Sequence, residues 1–259
     1  RFDRSTEKFT RFKPDPNAKF SDPNISAVNE DSDGMIWAGS FMGGLCRLDR
    51  QKGIFVDERF EILWVNCIYK DKAGTLWVGN PTGLHRINLT AKKAGKLSGV
   101  SFTHYQYDPG NPNSLSSNKV RSIFEDHEGI MWLVTDKGLN SFDKKTGLFK
   151  RYLHDLKNIH NKMSNLIKED QEGNLWIATD KGLNKLSSDR NFFTTYLHHS
   201  NDSHSLSSDI VISLHIDSAG ILYVGSWGGK LDKANLNPKP FGLIRRDPNN
   251  INSLSSNLV

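Results

Sequence analysis

The sequence repeats an aspartate that stands three residues ahead of a glycine and six residues ahead of an aromatic residue. The five copies are Asp31, Asp71, Asp126, Asp170 and Asp217. Carboxylates in short loops can bind calcium, but a calcium loop also needs alternating oxygen ligands and a late bidentate glutamate, which these copies lack. Aspartate accepts hydrogen bonds from following backbone amides, and glycine readily adopts a positive φ, so we interpret each copy as a hairpin turn.

Histidines form one further cluster that could do chemistry. His198, His199 and His204 lie near Asp202 in a polar stretch, but without the regular ligand spacing of a closed zinc site, which favours a solvated loop. The sequence contains no glycine-rich phosphate loop, nucleophile elbow or Cys/His pair. We therefore predict no catalytic residue, no metal site and no cofactor.

Binding is better indicated, by residues that differ between otherwise similar copies. Phe41 and Trp227 occupy comparable turns and could stack on a sugar ring. Trp64 stands at the entry to an apolar stretch and could point into the same binding region. Lys137 and Lys181 could pair with a carboxylate or sulfate. We predict these five residues as ligand contacts, against the alternative that the aromatic residues cover a neighbouring repeat.

The elements that position these residues follow from the repeat itself. The aromatic residue after each aspartate recurs at spacings of 40, 55, 44 and 47 residues, at Trp37, Trp77, Trp132, Trp176 and Tyr223. Each copy holds four short apolar or alternating runs separated by turn residues, which is typical of a four-stranded antiparallel meander. One such sheet cannot bury its own faces, so the copies must pack on one another around an axis.

The predicted fold is therefore an all-β propeller, with five complete blades and partial blades at both ends. We expect a partial blade at 1–20, blades at about 21–60, 61–108, 113–155, 160–200 and 205–246, and the start of another at 252–259. The alternative is a ring of five blades with frayed ends.

The residues also resemble a known repeat. Ser117 to Asp143, reading SNKVRSIFEDHEGIMWLVTDKGLNSFD, is similar almost throughout to the two-component regulator propeller repeat, and the other copies resemble it less completely. The resemblance implies a fragment of a seven-bladed propeller in the periplasmic sensor region of a membrane-anchored, homodimeric hybrid histidine kinase. In such receptors the ligand is an oligosaccharide and the kinase lies downstream, so this chain itself is expected not to be an enzyme.

Composition excludes some partners. The net charge is +5 with a pI near 9.1, yet the basic residues are spread along the chain without a basic helix or stripe, so no nucleic-acid partner is predicted. The charge would suit an anionic oligosaccharide. Cys46 and Cys67 lie in apolar stretches and are expected to be buried free thiols.

Two other functions compete with ligand sensing: a protein-interaction scaffold, and a polysaccharide lyase or hydrolase. Propellers support all three functions, so the fold does not choose among them.

Overall fold

The regular elements that the computed structural model describes are all β-strands. It describes residues 2–14, 24–57, 62–88, 101–152 and 167–237. The strands of the first half are β1 (Phe2–Asp3), β2 (Lys8–Phe9), β3 (Lys13–Pro14), β4 (Ile25–Glu30), β5 (Ile36–Ser40), β6 (Gly44–Asp49), β7 (Ile54–Asp57), β8 (Cys67–Lys70), β9 (Leu76–Asn80), β10 (Gly83–Asn88) and β11 (Ser101–Tyr105). Those of the second half are β12 (Val120–Glu125), β13 (Met131–Thr135), β14 (Gly138–Asp143), β15 (Leu148–Tyr152), β16 (Ile167–Glu169), β17 (Leu175–Thr179), β18 (Gly182–Leu186), β19 (Phe193–Tyr196), β20 (Val211–Ile216), β21 (Ile221–Ser226) and β22 (Lys230–Asn235).

These strands form consecutive antiparallel meanders. Blade 1 is β4 to β7, blade 2 is β8 to β11, blade 3 is β12 to β15, blade 4 is β16 to β19, and blade 5 is β20 to β22. Strand β3 adds to the outer edge of blade 1, parallel to β7, and β1 pairs with β2 in a separate hairpin. The segment in which the sequence predicts the last strand of blade 5, and the predicted further blade at 252–259, lie outside the described residues.

The repeated aspartates hold the turn between the first and second strand of each blade. In blade 3, Asp126 Oδ1 accepts a hydrogen bond from the Ile130 amide at 2.9 Å, and Oδ2 accepts one from Trp132 Nε1 at 2.7 Å. The same tryptophan bond recurs in blades 1, 2 and 4, at 2.8 to 3.0 Å. In blade 5 a tyrosine replaces the tryptophan, and within the described part of the chain Asp217 accepts only from backbone amides of the turn. The aspartates are therefore structural, as the hairpin interpretation predicts.

Successive blades pack face to face, with the tryptophans at the interfaces. Trp77 of blade 2 lies in one cluster with Val120, Ile123 and Phe142 of blade 3, and Trp132 lies in another with residues of blade 4. Trp37, Trp77 and Trp132 are almost fully buried. The first strands of neighbouring blades contact one another, from β4 through β8, β12 and β16 to β20. These strands are therefore innermost, and the predicted all-β propeller architecture is confirmed.

A hydrogen bond and several ion pairs connect neighbouring blades at the end of the molecule that carries the aspartate turns. Glu125 of blade 3 accepts a hydrogen bond from the Lys72 amide of blade 2 at 2.7 Å. Lys144 bridges Glu125 Oε1 at 2.6 Å and Asp71 Oδ2 at 3.2 Å, so it also joins blades 2 and 3. Arg190 links blades 3 and 4 in the same way, lying 3.2 Å from Asp126. Because these carboxylates are buried, loss of either cation would leave an unpaired charge at an interface.

Two further sequence expectations concern cysteines and membrane spans. Cys46 and Cys67 are both free; Cys67 is buried, and burial raises the pKa of its thiol to about 12, whereas Cys46 is partly exposed. Among the described residues there is no helix of the length and apolar character that a bilayer crossing requires.

Candidate functional site

The predicted ligand residues lie at the end of the blades opposite the aspartate turns. Here the second strand of each blade turns into the third, at residues 41–43, 81–82, 136–137, 180–181 and 227–229. In blades 1 and 5 these turns are bonded to the entry of the first strand: the Phe41 amide donates to Asn24 O, and the Trp227 amide donates to Ile210 O. We call this end of the molecule the top face. The turns and the strand entries lie next to one another on this face. Binding residues are often carried by such loops on a rigid scaffold.

Phe41 and Trp64 form an aromatic platform across two blades. Phe41 comes from the turn of blade 1 and Trp64 from the entry to blade 2, and their ring centroids are 4.8 Å apart with a tilt of 46°. Phe41 is 41% exposed and Trp64 is 46% exposed. Two large apolar rings that touch each other and still face solvent offer exposed ring faces on which a sugar ring can stack.

The backbone at Trp64 is held in an unfavourable conformation. Its φ is 60°, in the left-handed region, which costs a non-glycine residue about 1–2 kcal/mol. The neighbouring backbone is fixed on both sides, because Asn80 Nδ2 donates to Leu63 O at 3.0 Å and the Val65 amide donates to Ser40 O at 3.1 Å. Strain that the surroundings maintain is typical of ligand sites. Trp64 is therefore positioned toward Phe41 before any ligand arrives.

The other three predicted residues stand on different blades of the same face. Lys137 of blade 3 is exposed, and its Nζ lies 5.5 Å from the centre of the Tyr107 ring in a cation–π contact. Lys181 occupies the matching turn position in blade 4 and is also exposed. Trp227 of blade 5 is 65% exposed. The structure thus brings Phe41 and Trp64 into contact and distributes the remaining three along the top face.

Tyr107 is a residue that the sequence interpretation missed. Lys137 Nζ lies over its ring and so does the Arg151 guanidinium, at 5.2 Å. Arg151 in turn donates to the backbone carbonyls of Asp108, Asn111 and Ser114, which ties the connection between blades 2 and 3 to β15. Tyr107 therefore sets the position of Lys137. An aromatic residue ahead of the Asp-Pro-Gly turn was the available sequence signal.

A pair of histidines at the top of blade 2 was also missed. His85 and His104 face each other across β10 and β11, with ring centroids 4.1 Å apart and planes only 12° from parallel. His85 is buried, and its Nε2 lies 3.3 Å from Asn80 Oδ1. Burial, with a smaller contribution from His104, lowers the pKa of His85 to about 4. His85 is therefore neutral at neutral pH.

Acidification is expected to destabilise blade 2 through His85. In the unfolded chain His85 takes up a proton near pH 6.5, whereas in the folded chain it does so only near pH 4. Its contribution to stability is thus complete above pH 6.5 and is lost as the pH falls toward 4, by about 2–3 kcal/mol. Urea unfolding at pH 7.5 and at pH 4.5 measures this loss.

The matched variant is His85→Asn, because Asn140 and Asn184 fill the same position in blades 3 and 4. This variant should lose less stability on acidification than the wild type does. An equal loss in both proteins would show that His85 is not the group responsible.

The histidine cluster noted in the sequence lies in the connection between blades 4 and 5. His198, His199 and His204 are all exposed, and His198 Nδ1 lies 2.6 Å from Leu206 O. The Ser205 hydroxyl donates to His199 O and Asp202 O, as the Ser114 hydroxyl does to Asp108 O and Asn111 O in the preceding connection. No group of three or more potential metal ligands occurs among the residues that the structure describes. The cluster is a folded polar connection.

Comparison with known proteins gives one family and several structures. The family model of the two-component regulator propeller matches residues 62–82 and 114–137. No curated protein sequence matches the chain. The first of these segments contains Trp64 and Trp77, and the second runs from the connection into blade 3 to Lys137. The match therefore includes two of the predicted ligand residues.

Three solved structures share the fold. The extracellular domain of a putative hybrid two-component system from B. thetaiotaomicron has a TM-score of 0.65 and 20% identity, covering 85% of this chain and 28% of that one. PorZ, a surface component of the type-IX secretion system of Porphyromonas gingivalis, has a TM-score of 0.65 and 17% identity, covering 88% and 34%. A virginiamycin B lyase from Staphylococcus aureus has a TM-score of 0.58 and 10% identity, covering 89% and 74%.

These identities are low, so the structural likenesses establish the fold alone. The chain spans 28% of the B. thetaiotaomicron domain and about a third of PorZ. The stacked four-stranded sheets, the repeated aspartate turns and the family match agree with one another. The chain is a β-propeller, and two of its segments match the two-component regulator propeller repeat.

Proposed function

We propose that this chain is part of the extracytoplasmic ligand-sensing module of a two-component signalling receptor, and that its top face binds an oligosaccharide. The regulator propeller repeats support the assignment to two-component signalling. The exposed aromatic platform supports a ligand that presents flat, apolar ring faces together with hydroxyl groups, which is the character of a sugar chain.

The observation that carries the proposal is the conformation of Trp64. An exposed tryptophan at φ 60° gains little from burial, and a glycine there would avoid the strain. The backbone strain at Trp64 is explained if it keeps the ring against Phe41 in the conformation that binds the ligand. A rigid, preformed surface loses little conformational entropy on binding. Trp64 is therefore the residue on which binding should depend most.

The rest of the receptor follows by analogy. A structure of the same fold is the extracellular domain of a putative hybrid two-component system, and that domain is more than three times as long as the part covered here. We accordingly propose a periplasmic location, a membrane-anchored and homodimeric parent protein, and a histidine kinase downstream. The ligand signal would pass to that kinase, while this chain itself acts by binding.

Calorimetric titration of the chain with a panel of neutral and acidic oligosaccharides tests the proposal. We expect saturable binding of at least one oligosaccharide, and much weaker binding of the same sugar by a variant that lacks the ring of Trp64. If no oligosaccharide binds and a protein partner is captured reproducibly instead, the chain is an interaction scaffold. Turnover of a polysaccharide by the purified chain would establish a lyase or hydrolase and would overturn the proposal.

A further inference from the structure

One position in the innermost strands is set apart by a β-bulge. The pairing of the first two strands shifts between Ile25 and Ala27 in blade 1, between Val120 and Ser122 in blade 3, and between Val211 and Ser213 in blade 5. Each shift leaves one residue of the first strand outside the pairing register, and these residues are Ser26, Arg121 and Ile212. A bulge re-aims the side chain of its extra residue, and bulges are frequent beside functional sites.

Side chains at this position reach the next blade near the axis. In blade 1, the Ser26 hydroxyl bonds to Val65 O of blade 2. In blade 2, Asn66 holds the matching position, and its Nδ2 donates to Val120 O of blade 3 at 2.8 Å. Both bonds join the start of one innermost strand to the start of the next. The position therefore lies at the top, inner end of each blade junction.

Arg121 places a guanidinium group where blades 1 and 2 have small polar groups that are hydrogen-bonded to the next blade. Its Nε is buried and has no hydrogen-bond partner, and among the described residues no carboxylate forms an ion pair with Arg121. The Nε of Arg190 is also buried without a partner, but the rest of that guanidinium is paired with Asp126, and Arg151 is bonded to three carbonyls. The Arg121 side chain is half-buried, and its buried Nε carries a desolvation cost that a bound hydrogen-bond acceptor would offset.

The surrounding charge on blade 3 is positive. Lys119, Arg121 and Lys137 all belong to the top of this blade. Asp136 lies 3.5 Å from the Lys119 amine and can neutralise that one cation. Lys137 Nζ lies over the ring of Tyr107, and no carboxylate of the described residues forms an ion pair with it. The top of blade 3 thus carries an excess of positive charge next to the blade whose entry bears Trp64.

We propose that Arg121 binds an anionic group of the ligand, a carboxylate or a sulfate ester. This inference rests on the proposed function, and it narrows the ligand class to acidic oligosaccharides. The planar guanidinium matches either anion with two parallel hydrogen bonds, which a lysine cannot supply. The aromatic platform holds the sugar ring and Arg121 selects its charge.

The test compares sugars that differ in charge and variants that differ in the guanidinium. The probes are an oligogalacturonate, its neutral methyl ester, and a sulfated galactan oligosaccharide without uronic acid, each titrated by calorimetry. Arg121→Gln should weaken binding of the preferred acidic sugar by about 10-fold or more and leave the methyl ester unchanged. Arg121→Lys keeps the positive charge but not the two parallel donors, so its affinity for the acidic sugar should lie between those of the wild type and of Arg121→Gln. Preference for the oligogalacturonate or for the sulfated sugar identifies the anion.

Arg50→Gln is the matched control, because Arg50 is an exposed arginine beside the aspartate turn at the opposite end of blade 1. It removes the same charge and should leave affinity unchanged. Equal loss in the Arg50 and Arg121 variants, or equal loss for charged and neutral sugars, would overturn the assignment of Arg121.

A second readout separates this inference from the proposed function. Titration of the wild-type chain with galacturonate or inorganic sulfate can be followed at the ¹⁵N resonance of Arg121 Nε. If no oligosaccharide binds, the proposed function fails, and this titration alone decides the role of Arg121. A saturable shift supports the anion site, and an unchanged resonance rules it out.

Discussion

Replacing Asp126 with alanine is expected to lower the free energy of unfolding by about 3–5 kcal/mol, the largest stability effect in the molecule. The carboxylate is fully buried and bonds the Ile130 amide, the Trp132 indole and the Arg190 guanidinium. Its removal leaves all three donors without their acceptor at the interface between blades 3 and 4. Equilibrium urea unfolding measures the loss.

Asp217→Ala is the control for this substitution. Asp217 occupies the same turn position in blade 5, but among the residues that the structure describes it bonds only the backbone amides of Ala219 and Ile221, and no tryptophan or arginine. The expected loss is about 1 kcal/mol, the value of ordinary turn hydrogen bonds. Similar losses in the two variants would mean that the bond to the tryptophan and the interblade ion pair contribute little.

The largest effect on binding is expected from Trp64→Gly. Loss of the ring should weaken oligosaccharide affinity by about 30-fold or more, as removal of a central aromatic contact does in other interfaces. Stability should change by less than about 1 kcal/mol, because relief of the left-handed strain offsets loss of the contact with Phe41. Calorimetry and urea unfolding on the same preparation measure both quantities.

Phe192→Ala controls for the removal of an exposed aromatic ring. Phe192 is 69% exposed and immediately precedes β19, at the end of blade 4 that carries the aspartate turns. This variant should bind as the wild type does. Unchanged affinity after Trp64→Gly, or a loss of several kcal/mol in its stability, would contradict the role given to the aromatic platform.

The fold could be predicted from the sequence because its main determinants are local and repeated. The turn from Asp126 to Gly129 and the aromatic residue after it lie within seven positions, so they are visible as a spacing. The hydrogen bond from Trp132 to that aspartate was not foreseen. It depends on how strand β13 pairs with β12 and directs the indole back over the turn.

The site could be predicted only in part, because its contacts join distant segments. Phe41 and Trp64 were each placed among the variable positions, but their contact depends on the rotation between two blades. The histidine pair needs the register of β10 with β11, which are separated in the sequence by residues 89–100. Arg121 escaped notice because a bulge in β12, invisible in the spacing, sets its side chain apart.

The six tryptophan indole resonances in a ¹⁵N spectrum show whether the ligand binds on the top face. Trp37, Trp77, Trp132 and Trp176 are bonded to the aspartates at the blade interfaces, whereas Trp64 and Trp227 are exposed on the top face. Addition of a bound oligosaccharide should shift the indole signals of Trp64 and Trp227 and leave the other four in place. A ligand that saturates the protein without moving the Trp64 signal would contradict binding at the aromatic platform.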